Sequence, residues 1–336
     1  MASNDPRPTS HVALTRRRLV AASAIALALG GVAGGIGARL SYRAAMDRAH
    51  DRIRQGSRVL DTRSGPIEVA VTPGTRPVMM IHGTGGGFDQ GLNFAERLVA
   101  AGWQVIAPSR FGYLRTPFPA DASSEAQADA LASLLDALGI DRLPVIGGTA
   151  GALPALAFAL RHPQRCTALV PMVPASYVPG RPATPAAAPW AVPITEAALR
   201  SDFLFWSALR IAPRGMIGAL LATDPALLDT ASEEERERVQ RILWQILPVS
   251  ERAEGLLNDA RLASRPAPMA MEQIRVPTLT IACEDDRFGT HAAARHIAAT
   301  VPGAKLMSFP TGGHVWVGHD AEVFARIADF LGAVAA

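Results

Sequence analysis

Gly147-Gly148-Thr149-Ala150-Gly151 is the stretch on which the reading of this chain turns. It follows the short apolar run Pro144–Gly147 and opens a helical pattern from Ala150 to His162, stopped by Pro163. Small residues on both sides of Thr149 suit a sharp strand-to-helix bend, in which the central residue takes a strained backbone and exposes its side chain. The N–H of Ala150 and the start of the helix would face negative charge developing beside it. Taken alone, such a bend equally suits close packing of helix on sheet, so its meaning depends on its surroundings.

Outward from the bend, apolar runs alternate with helical patterns. Arg58–Asp61 and Ile67–Val71 flank Arg63-Ser64-Gly65, a hairpin signal. Val78–Ile81, Gln104–Ala107, Ala168–Val173, Leu279–Ala282 and Lys305–Phe309 are nearly continuous apolar runs, as expected of strands covered on both faces. Between them lie Phe94–Ala101 with Asn93 as N-cap, Glu125–Leu138 behind Ser123-Ser124 and ended by Gly139, His291–Thr300 and Glu322–Val334. The pattern predicts an α/β fold of βαβ units, a mostly parallel sheet behind an antiparallel start.

The alternation lapses over residues 176–273. Pro179–Pro193 reads as a linker, and amphipathic helices follow. Ser232 and Glu235 have capping-box spacing, ahead of Val239, Ile242, Leu243, Ile246 and Leu247 on one face. Trp190, Phe203, Phe205, Trp206 and Trp244 in this insertion either line an apolar pocket or pack it together. Trp316 is expected at a pocket mouth, and His319 at the surface.

Three further features carry chemistry. His82-Gly83-Thr84-Gly85-Gly86-Gly87-Phe88-Asp89-Gln90-Gly91 follows a strand, and its glycines let backbone N–H groups approach a ligand. It lacks the Lys that ends a phosphate-binding P-loop, and the His82 side chain reads as structural. Glu284-Asp285-Asp286 follows the strand Leu279–Ala282, and Gly312-Gly313-His314 follows Lys305–Phe309. An imidazole held by a carboxylate can serve as a general base.

In this order, each element after a strand, these features resemble the α/β-hydrolase fold over roughly residues 57–336, with the insertion in the place of the family's helical cap. Pro108-Ser109-Arg110-Phe111-Gly112-Tyr113 resembles the family's turn after the following strand. The resemblance implies Thr149 as nucleophile, Asp286 as acid in preference to Asp285, His314 as base, and the amides of Thr84 and Ala150 as the oxyanion hole. The family normally has Ser where Thr149 stands. The extra methyl makes the residue β-branched where positive φ is expected, and it crowds the line of attack.

Composition bounds the rest. The 336 residues are 49% apolar and 19% charged, ample for a large core, and the 2 Cys exclude a disulfide framework. Of the 33 basic residues 32 are Arg, which with the Ala content suggests a GC-rich bacterial genome. Residues 1–60 carry a balance of +7, and the remainder carries −4. The main domain therefore offers nothing to a nucleic acid. Leu19–Ala38 is uncharged, roughly long enough as a helix to cross a bilayer, and Thr15-Arg16-Arg17-Arg18-Leu19 resembles a twin-arginine export signal.

The expected organisation is a basic region 1–18, a transmembrane anchor or signal 19–38 and a charged stalk 39–56, with Met46–Arg58 helical. A hydrolase core at 57–175 and 274–336 surrounds a helical cap at 176–273. The expected location is the cell envelope, by anchoring or export. The expected activity is hydrolysis of esters or related acyl or C–C bonds of a small apolar carbonyl substrate, with no metal or organic cofactor. Two alternatives remain: a cofactor-free lyase or oxygenase using His314 as base, and a catalytically silent binding protein. Activity that survives Thr149→Ala would mark the first; esterase activity gained in Thr149→Ser would mark the second.

Overall fold

The computed structural model describes residues 35–181 and 196–335. The chain divides into two units, Met1–Arg48 and Ala49–Ala336. In the first, residues 35–48 are helical; in the second, residues 49–54 are helical, and Gly56, at φ 83°, precedes the first strand. The stalk helix thus stops short of Arg58, which already pairs in the sheet. The basic region, all but residues 35–38 of the apolar run, and residues 182–193 of the linker lie outside the described residues. Among the described residues no helix is long and apolar enough to cross a membrane.

Eight strands form one sheet: β1 (Arg58–Thr62), β2 (Gly65–Val71), β3 (Arg76–Ile81), β4 (Trp103–Pro108), β5 (Leu143–Gly148), β6 (Cys166–Met172), β7 (Leu279–Cys283) and β8 (Lys305–Phe309). Their order is β1-β2-β4-β3-β5-β6-β7-β8. The β1–β2 hairpin turns at Arg63-Ser64, and β2 runs antiparallel to β4; from β4 to β8 all neighbours are parallel. Successive side chains point to opposite faces, so Met79, Ile81 and Val145 enter one core layer while Val78, Met80 and Ile146 enter the other. Helices Ser124–Leu138 and Ala152–Arg161 cover the first layer; Asp320–Ala335 covers the second. Burial on both faces is why these strands read as unbroken apolar runs.

Helix ends follow the local signals where the signal is local. Ser123 Oγ accepts from the Ala126 amide, and Gly139 closes the same helix in the left-handed conformation. Asn93 departs from expectation. Helix starts at Phe88, whose amide donates to Ser109 Oγ at 3.0 Å, and runs to Phe94; a second short helix, Glu96–Ala100, follows Ala95. Asn93 is inside the first helix and donates to Gln245 Oε1 at 2.9 Å. The cap comes from a residue far along the chain, which no local pattern reveals.

Between β6 and β7 the described residues 196–273 hold helices and no strand. Helix Glu233–Trp244 starts as expected, with Ser232 Oγ accepting from the Glu235 amide at 3.2 Å. The reciprocal half of the box is missing: the Glu235 carboxylate pairs with Arg238 and accepts from the Gly318 amide at 2.8 Å.

Candidate active site

Strand register builds the site. Ile81 of β3 lies opposite Gly147 of β5, so the loops that follow them, at His82 and Thr149, are neighbours. Gly148 lies opposite Met172, Met172 opposite Ile281, and Cys283 opposite Phe309. All these loops leave the carboxyl ends of parallel strands, the edge where open α/β sheets hold ligands.

At the elbow, Thr149 takes φ 47° and begins a short 3-10 turn, Thr149–Gly151, before helix Ala152–Arg161. A β-branched residue there is strained by about 1–3 kcal/mol. Its neighbours leave no room for side chains. A Cβ on Gly147 would lie 2.5 Å from Gly151 O, and one on Gly151 would lie 2.4 Å from His82 O. Ala175 N donates to Thr149 O at 3.1 Å and holds the bend from the β6 side. The Thr149 methyl packs against the bare Cα of Gly83, where a Cβ would come within 2.0 Å of Cγ2. Ala150 is in the first turn, whose N–H groups have no intrahelical acceptor.

The loop after β3 is braced from several sides. His82 donates from Nδ1 to Gly83 O at 2.7 Å and accepts from the Arg110 amide at Nε2, 2.9 Å. Burial, and then the Arg110 charge, hold its pKa well below the usual imidazole value. His82 is therefore a neutral brace, as its sequence context implies. Gly83 N donates to Gln90 Oε1 at 2.9 Å, Gly85 N to Tyr113 Oη at 3.2 Å, and Gly86 N to Gly83 O at 3.3 Å. Among the described residues the Thr84 amide has no such partner. Tyr113 donates in turn to Asp259 at 2.6 Å, and Arg110 grips Asp259 with two nitrogens. Arg252, fully buried, donates to Gly86 O and pairs with Asp89 at 2.8 Å.

On the other side, His314 Nδ1 meets Asp286 Oδ2 at 2.8 Å. Asp286 also accepts from the Phe288 amide at 2.8 Å and from Thr290 Oγ1. Burial alone would raise its carboxyl pKa; the facing His314 and these hydrogen bonds outweigh burial and hold it below the usual value. Asp285 does something else: it accepts from the amides of Gly312 and Gly313 at 3.1 and 2.8 Å, fastening the loop that carries the histidine. Thr223 Oγ1 accepts from His314 N at 3.0 Å, and Phe288 stacks edge-on to the ring at 5.0 Å.

A cavity of about 700 Å³ joins the two sides, lined by Thr84, Gln90, Thr149, Phe288, His314 and Trp316 among others. Most of its wall is apolar, including Leu220, Leu221, Ile242 and Leu256 from the helical segment. The structure thus brings Thr84, Thr149 and His314 to one cavity, with Asp286 behind the histidine. Ala150 is buried beside Thr149, off the wall. No hydrogen bond joins Thr149 Oγ1 to the His314 ring among the described residues; catalytic contacts commonly tighten only with substrate bound.

Phe203, Phe205, Trp206 and Trp244 do not line the cavity, and Trp190 lies outside the described residues. Phe205 and Trp206 are buried within the helical segment, which presents aliphatic side chains rather than aromatics to the cavity. Trp316 does line it, while His319 stacks on Phe309 at 4.0 Å. Cys166 opens β6 and Cys283 closes β7; both are free thiols, pushed by burial up to about 12. Thr223, Asp259 and Phe288 carry no sequence signal, and Gln90 stands in the glycine-rich stretch without any role to mark it. Arg110 and Tyr113 stand in the recognisable turn after β4.

A family model for the alpha/beta hydrolase fold matches residues 76–317. The chain is 29% identical over 289 residues to the 2-hydroxy-6-oxononadienedioate/2-hydroxy-6-oxononatrienedioate hydrolase 2 of Pseudomonas putida, covering 83% of this chain and 94% of that protein. It is 31% identical over 274 residues to the hydrolase of the same substrates from Paraburkholderia xenovorans LB400, covering 77% and 87%. Among solved structures, an alpha/beta hydrolase fold protein from Nakamurella multipartita superposes with a TM-score of 0.64 at 26% identity, covering 82% of this chain and 98% of that one.

Proposed function

The chain belongs to the α/β-hydrolase family of enzymes, and from that premise we propose that it cleaves an ester, or a related acyl or C–C bond, with Thr149 as nucleophile. Thr149 Oγ1 attacks the carbonyl carbon and His314 takes its proton. The amides of Thr84 and Ala150 receive the resulting oxyanion. As the tetrahedral adduct collapses, His314 returns the proton to the leaving group. Water, deprotonated by His314, then hydrolyses the acyl-threonine. Asp286 orients the ring and stabilises its cation. The helical segment acts as a cap that keeps water from the 700 Å³ space.

The observation that carries this reading is the His314–Asp286 contact of 2.8 Å at the wall of the cavity that Thr149 and Thr84 also line. Turnover of short p-nitrophenyl esters and labelling by a fluorophosphonate test it. The native protein is expected to show both, with the label on Thr149, and His314→Ala to lose both. A native protein with neither removes the reading.

A C–C bond within a dicarboxylate is the second reading. Two relatives are named as hydrolases of dioates, and Arg265 lines the cavity with no ionic partner among the described residues. An arginine so placed suits a remote carboxylate. The uncharged run 19–38 behind paired arginines supports a place at the cell envelope, as anchor or as export signal.

A further inference from the structure

Gln90 is a buried residue that neither the nucleophile, the acid–base pair nor the oxyanion amides account for. It is 3% exposed and lines the cavity beside Thr84. Its Oε1 is committed, since Gly83 N–H needs an acceptor and lies 2.9 Å away. That bond fixes which end of the carboxamide is nitrogen. The loop is also shaped around it: a Cβ on Gly86 would lie 2.5 Å from Gln90 Oε1 and 2.8 Å from Cδ. Among the described residues Gln90 Nε2 has no protein partner. Gln127 Nε2 and Gln245 Nε2 are sealed away from solvent without a partner, whereas Gln90 borders the cavity. A rigid N–H₂ donor therefore stands at the cavity wall one loop residue from the oxyanion amide.

We propose that Gln90 is a substrate-binding residue whose Nε2 donates a hydrogen bond to a second oxygen on the acyl part of the substrate, close to the reacting carbonyl. The inference rests on the hydrolase reading above and sharpens its substrate class to oxygen-substituted acyl groups: ethers, ketones, enols or carboxylates. Strand order sets the side. Gln90 follows β3, whereas His314, which must protonate the leaving group, follows β8, beyond β5, β6 and β7. The group held at Gln90 is accordingly the one that stays on Thr149.

The test compares two p-nitrophenyl esters of nearly equal shape, butyrate and methoxyacetate. Intrinsic reactivity cancels when the ratio of their kcat/KM values is compared between proteins. Gln90→Glu keeps an acceptor for Gly83 N and removes the donor. In this variant the methoxyacetate-to-butyrate ratio is expected to fall about tenfold, the worth of one neutral hydrogen bond. Gln90→Met, which lacks both groups, is expected to slow both esters and to show the same fall in ratio; it serves if the Glu variant does not fold. A residue that only braced the loop would slow both esters equally. A ratio unmoved in a folded variant with an active native enzyme overturns this inference alone. A native protein inactive on both esters removes the hydrolase reading and this inference with it.

Discussion

The two halves of the site are held by different physics. The elbow is set by exclusion: Gly83, Gly147 and Gly151 leave no space for a Cβ around it. The acid–base half is set by attraction. Asp286 gathers three donors, Asp285 fastens two amides, and Thr223 holds a third. A half held by sterics should fail when atoms are added and ignore pH. A half held by hydrogen bonds should fail when one charge is removed, and should respond to protons.

The largest expected effect belongs to the second half. Asp286→Asn keeps the shape but loses the charge and favours the wrong imidazole tautomer, so kcat should drop roughly 10³- to 10⁴-fold. Steady-state ester turnover measures it, with Asp285→Asn as the contrast. If the two substitutions cost the same, the division of labour between the aspartates is wrong.

An intermediate effect tests the steric half. Gly83→Ala drives a methyl into the Thr149 methyl, and overpacking of this kind costs about 1–3 kcal/mol. Activity and Tm should both fall. In Thr149→Ser the methyl is gone, and the next contacts of that Cβ lie at 3.3 and 3.4 Å, still tight, so the same Ala should cost clearly less. A double-mutant cycle with no coupling between residues 83 and 149 would break the account of why threonine is tolerated here.

The smallest effect concerns protons. Burial pushes the Asp286 carboxyl up, but His314 and the hydrogen bonds override it, and its folded pKa lies below the unfolded value of about 3.9. Its contribution to stability is thus present above that value and disappears as pH falls through the folded pKa. Melting of the native protein and Asp286→Asn from pH 7 to pH 3 should show a gap of a few degrees that narrows below about pH 4. A gap independent of pH would assign the difference to packing.

Much of the fold was legible because its signals are local. The runs at Val78–Ile81 and Leu279–Ala282, the Ser123 cap and the Gly139 stop depend on near neighbours in sequence, and strand ends moved by only a residue or two. Asn93 and Glu235 misled for one reason. Each has a side chain suited to a local cap, and each was drawn to other partners, Gln245 far along the chain for the first, and for the second Arg238 one turn on together with the distant Gly318. The candidate triad was legible as an ordered set of loops, while the residues that fix the loops were not.

The sequence by itself determined the alternating elements, the bend at Thr149 and the order of acid and histidine, because periodicity and glycine placement act over a few residues. Only the tertiary structure decided that Asp285 fastens the histidine loop while Asp286, which the resemblance preferred, meets the ring, that the Thr149 methyl finds room against Gly83, and that Gln90 and Asp259 reach the loop after β3. Those outcomes depend on which side chains the sheet register brings within hydrogen-bond range, a distance that sequence separation does not encode.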